Sequence, residues 1–114
     1  MKLEKQVCSL ELSKRLKELG FEQESYFKYM EANGKYVLME GYPISNFCSA
    51  YTVAELGEML PSDFHTNRIE MPTKEVGVKK NEYHCWAWNF KNPQFGDTEA
   101  NARAKMLIYL KENK

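Results

Sequence analysis

Residues 83–90 read YHCWAWNF and hold both tryptophans of the chain, one of its three cysteines and one of its two histidines. Imidazole, thiol and indole within eight residues are the raw material for several chemistries. If the segment is a strand, alternation puts His84, Trp86, Trp88 and Phe90 on one face and Tyr83, Cys85, Ala87 and Asn89 on the other. Indoles and phenols stack on flat ligands and keep a polar tip, so Tyr83, His84, Trp86 and Trp88 could wall a ligand pocket. Arg103, in the segment that follows, could anchor an anion or carboxylate beside them. The competing reading is a core. Ala100, Ala104, Leu107 and Ile108 fall on one arc of a helix, and small alanines opposite large indoles suit interdigitated packing. In that case Arg103 lies at the flank of the arc with its stem buried and its guanidinium at the edge. Packing is the preferred reading and the pocket comes second.

Other chemistries lack their signatures. A structural zinc site shows paired Cys or His spacings; His84 and Cys85 are adjacent, point to opposite faces of a strand, and have no second pair to join, so no metal ligands and no cofactor are expected. A nucleophile needs a base and an orienting group. Cys8 sits on an apolar helix stripe, and Cys48 is the more credible thiol because it is expected in a loop, but no neighbouring residue activates it. GxSxG, P-loop, GxGxxG and HExxH motifs are absent. No catalytic residue is assigned; a small enzyme relying on Cys48 or His84 is the weakest alternative.

The elements that must position these residues can be read from periodicity and turn chemistry. In 7–19, Cys8, Leu12, Leu16 and Leu19 share a helical stripe, with Ser9 as cap and Gly20 as stop. Asn33-Gly34 lies between two β-prone runs and predicts a hairpin of strands 25–32 and 35–41, because a type I′ turn needs positive φ at both central residues. Tyr29 and Tyr36 on that hairpin are the candidate protein contacts. Pro43 and the run ISNFCSA predict a loop. Thr52 and Glu55 have capping-box spacing ahead of a short helix that Pro61 closes. Strands at about 67–71 and 74–79 precede the quoted segment, and residues 98–112 form a last helix capped by Asp97 or Thr98. The order α-ββ-α-(β)ββ-α predicts one α+β domain over residues 1–114, an antiparallel sheet of four to five strands with three helices.

Composition limits the partners. At 114 residues and 43% apolar, the chain can bury a single core. Sixteen basic and sixteen acidic residues cancel, and the densest positive runs, Lys79-Lys80 and Lys14-Arg15 with Lys17, make no stripe. Nucleic acid is therefore a poor partner. No run is long and apolar enough for a signal peptide or membrane span, and an odd, scattered set of three cysteines fits a reducing compartment. A cytoplasmic protein is expected, with no membrane partner; its oligomeric state is left open.

Three stretches together resemble a family of small phage- and prophage-encoded proteins: CSLELSKRLKELGFEQESYF at 8–27, YTVAELGEMLP at 51–61 and TEANARAKMLIYL at 98–110. The family pattern is CSLE…LKELG…QES, TVAELGEMLP and A.AKMLIYL.EN; it covers a little under half the chain and leaves out 62–97. The resemblance implies the cytoplasm of a bacterial host cell and an accessory role during infection. It carries no activity or catalytic residue. Together with the residue-level reading it leads to a non-enzymatic binding protein whose partner is a host or phage protein. The alternative is a small-molecule binder for a nucleotide-like ligand.

Overall fold

A computed structural model describes residues 2–41, 46–77, 79–88 and 90–113. Pro43 of the expected loop and Asn89 lie outside the described residues, as do the side chains of Lys79 and Lys80. A short α1 (Leu3–Gln6) leads into α2 (Leu10–Glu18), where the Ser9 hydroxyl accepts from the Leu12 amide. Local signals form the helix expected over 7–19 as α2, but Cys8, expected on its stripe, lies before the Ser9 cap and outside the helix, where its amide donates to the Tyr51 carbonyl. The helix ends where Gly20 takes φ +91°, which lets the Phe21 amide reach back to the Leu16 carbonyl at 3.1 Å.

The hairpin follows, β1 (Phe27–Ala32) and β2 (Lys35–Glu40), turned by Asn33 at φ 52° and Gly34 at φ 77°. Phe47–Ala50 then forms β3, antiparallel to β1. This corrects the expected loop: Cys48, Ser49 and Ala50 have little strand propensity, but the free edge of β1 pairs their backbone and all three are buried. α3 (Val53–Met59) starts at the Thr52/Glu55 capping box, with both reciprocal bonds present.

The second sheet comprises β4 (His65–Pro72), β5 (Lys79–Trp86) and β6 (Gln94–Gly96), all antiparallel with β5 in the centre. Of the strand expected over 74–79, residues 74–77 instead hold the turn region between β4 and β5, and Lys79 begins β5. The chain ends in α4 (Glu99–Glu112), capped by the Thr98 side chain.

The α+β class and the antiparallel pairing hold. Among the described residues, however, there are two three-stranded sheets and four helices, in place of one sheet of four to five strands with three helices. Each sheet closes round its own central strand, β1 between β2 and β3 and β5 between β4 and β6, and no ladder among the described residues joins an edge of one to an edge of the other.

The helix α4 is the spine of the core. Ala100, Ala102, Ala104, Met106 and Leu107 are all buried, on more than one side of the helix, because α2, α3 and the second sheet all pack on it. Leu16, Leu56, Leu60, Tyr51, Cys8 and Cys85 complete the cluster. Fully burying a leucine such as Leu16 or Leu56 contributes roughly 1.5–3 kcal/mol.

Candidate functional site

Strand register decides what the second sheet shows to solvent. β4 and β5 pair His65 with Trp86 and Asn67 with His84, and β5 and β6 pair His84 with Phe95. Cross-strand partners point the same way, so His65, Asn67, His84, Trp86 and Phe95 share one face. The opposite face carries Thr66, Tyr83, Cys85 and Gly96 against α4.

This inverts the expected packing of the quoted segment. Cys85 and Ala87 are buried, whereas Trp88 is 78% exposed and Phe95 42%. β5 ends at Trp86, so strict alternation does not extend to Trp88, and Phe90 turns back to pack on the core, edge-on to Phe64 at 5.3 Å.

The open face is an ordered aromatic row. Trp86 stacks with His84 at 6.2 Å, His65 lies 5.2 Å from Trp86, and Phe95 is 6.0 Å from His84. Trp88 meets Trp86 edge-on at 5.4 Å. Trp86 Nε1 donates to Asn67 Oδ1 at 2.6 Å, which fixes the indole in its plane. His84 Nδ1 is buried and finds no hydrogen-bond partner among the described residues.

The five residues of the expected pocket are therefore split. His84, Trp86 and Trp88 stand on the open side. Tyr83 stands on the other, partly buried against the core, where it lines a cleft with Lys2, Lys5 and Arg68. Arg103 is a structural clamp: its Nε donates to Thr66 Oγ1 and its Nη1 to the Val53 carbonyl, both at 2.7 Å. Its Nη2 lies 3.6 Å from Glu99 Oε1.

The two candidate contacts on the first hairpin are both partly buried. The Tyr29 hydroxyl donates to the Cys8 carbonyl at 2.9 Å, and burial pushes its phenol up to about 12. Tyr36 donates to Glu31 Oε2 at 3.4 Å, with the Lys14 ammonium 4.5 Å above its ring. Sequence reasoning missed Asn67 and Phe95 as neighbours of the tryptophans. Phe95 left no signal, because three residues between Pro93 and Asp97 read as a loop until β5 pairs them.

The thiols are unsuited to nucleophilic work. Cys48 sits in β3 of the first sheet and His84 in β5 of the second, and all three cysteines are free and buried. Burial raises the Cys8 and Cys48 thiols, the latter against the opposing pull of Lys17 and Lys14, and lifts Cys85 from 9.0 to about 11. Among the described residues no group of three or more His, Cys, Asp or Glu side chains could hold a metal ion. No helix there is long and apolar enough to cross a membrane.

The raised thiol and phenol values set a pH dependence. Below pH 9 folded and unfolded chains both keep these protons. Above it the unfolded chain releases the Cys85 proton first, so stability falls until the folded value near 11 is passed. Tyr29 and Tyr51, raised from 10.0 to about 12, extend the loss upward in the same way. Urea midpoints should therefore be lower at pH 10.5 than at pH 8, and an aromatic disulfide reagent should find no fast thiol at pH 8 until the chain is unfolded. Equal midpoints, or one fast thiol in the folded protein, would contradict this account of the core.

No protein-family model matches the chain, and neither does any curated protein or solved structure.

Proposed function

We propose that the protein is a non-enzymatic binding protein, an accessory of phage or prophage origin, which contacts a host or phage protein through the open face of its second sheet. The observation that carries this reading is the exposure of Trp88 and Phe95 beside Trp86, His65 and His84 on that face. Exposed, contiguous aromatic surface is costly in water, and Trp is enriched among residues that dominate binding energy. The resemblance of residues 8–27, 51–61 and 98–110 supports the origin. The buried, protonated thiols weigh against a cysteine enzyme.

The test is a photo-crosslinking amino acid placed at position 88 in the otherwise intact chain, expressed in infected bacteria. A discrete adduct is expected, and excess unlabelled protein should compete it away. Trp88→Ala combined with Phe95→Ser should fail to compete while losing less than about 1 kcal/mol of stability, since both side chains are exposed. Competition by the double variant equal to that of the unsubstituted protein would remove the face from the proposal.

A further inference from the structure

A second site lies at the outer edge of β4, where the strand meets α4. Phe64, His65, Thr66, Asn67, Trp86 and Arg103 line an open groove of about 370 Å³. This is the small end of the range for ligand pockets, room for one ring system and one charged group. We propose that this groove binds a small aromatic anion of the nucleoside monophosphate kind, with the ring against Trp86 and His65 and the anionic group at Arg103.

Arg103 supplies the charge in a fixed form. Its bonds to Thr66 and Val53 hold the guanidinium plane, leaving donors unspent, because Nη2 has Glu99 only at 3.6 Å, beyond a charge-assisted hydrogen bond. A planar fork already immobilised loses little entropy when it meets an anion. None of the six lining residues is a carboxylate, so Glu99 behind the guanidinium is the acidic neighbour.

The ring walls are fixed as well. The Asn67 amide oxygen takes the indole N–H, so Trp86 has no polar tip left to offer and presents its π-surface. His65 lies 5.2 Å from that indole at 45°, is exposed, and has no hydrogen-bond partner on its ring among the described residues. Phe64 closes the apolar end through its contact with Phe90. An inorganic anion would leave these rings bare, and a neutral ring would leave the guanidinium donors unmet. The lining calls for both groups in one ligand.

This site goes beyond the protein-binding reading: it straddles the edge of β4, sharing His65, Asn67 and Trp86 with the open face and reaching Thr66 and Arg103 on the α4 side. Arg103 variants would confound folding with binding, so the test leaves Arg103 in place. In a Trp88→Phe background Trp86 is the sole tryptophan, and Trp88 does not line the groove. Adenosine monophosphate, adenosine and inorganic phosphate are titrated separately while Trp86 emission is followed. Adenosine monophosphate should give saturable quenching at least about tenfold tighter than either fragment, and His65→Ala should weaken it about tenfold.

Absence of saturation with adenosine monophosphate at millimolar concentration would overturn the proposal. Equal affinity for adenosine would remove the role of Arg103. Loss of binding in Arg68→Ala with none in His65→Ala would move the ligand to the other cleft and equally overturn it. None of these outcomes depends on whether the crosslink at position 88 forms.

Discussion

Gly96→Ala is expected to destabilise the protein by about 2–4 kcal/mol, from a single added methyl group. A Cβ built at Gly96 falls 2.5 Å from the Ala102 amide nitrogen, 2.9 Å from the Asn101 carbonyl carbon and 3.0 Å from the Ala102 Cα. All three are backbone atoms in the first turn of α4, so no side chain can swing aside. The strand and helix must separate, and both are committed elsewhere. Gly96 is paired with Tyr83 in β5, and Ala102 is fully buried in the core. The disturbance also reaches α2, because Asn101 Oδ1 accepts from the Ser9 amide at 2.8 Å, and Ser9 caps that helix. Urea denaturation followed by circular dichroism measures the effect, and Gly96→Val should not fold. A loss under about 1 kcal/mol would mean that β6 does not sit against α4 as described.

Arg103→Ala is expected to cost about 2–4 kcal/mol, since it leaves the Val53 carbonyl and the Thr66 hydroxyl short of donors where α3, α4 and β4 meet. The side chain is 22% exposed, so water softens the loss and the upper half of that range is not required. Arg103→Lys should recover only part of it, because an ammonium cannot span Thr66 and Val53 in the geometry of a planar fork. The site also explains Gly57: a Cβ there would come within 2.5 Å of Arg103 Nη1. That contact is with the end of a side chain, so Gly57→Ala should cost less than Gly96→Ala and should be largely relieved in an Arg103→Ala background. If Arg103 served only a ligand, both Arg103 variants would melt with the unsubstituted protein.

How far the sequence went depends on the range of the interaction that fixes each element. The Ser9 cap, the Gly20 stop, the Asn33-Gly34 turn, the Thr52/Glu55 box and the Thr98 cap all act within five residues, and all form as the sequence alone predicts. β3 and β6 were not legible, because FCSA and QFG have no strand preference until a neighbouring edge pairs them. The partition into two sheets likewise rests on long-range pairing, of β3 with β1 and of β6 with β5.

The tryptophans show the same limit. Alternation along 83–86 was readable, and it correctly separates Tyr83 and Cys85 from His84 and Trp86. Which of those faces is buried was not readable, because both carry apolar side chains. The tertiary structure decides it through the alanines of α4. Ala102 lies against Gly96, where a Cβ would meet helix backbone at 2.5 Å, so α4 packs close on the buried face of this sheet. Cys85 and Ala87 fill the gap and the indoles turn outward. The sequence by itself determined α2, α3 and α4, the hairpin and the two faces of β5, but not the short α1. Only close packing between α4 and the second sheet decided that the bulky face would meet water.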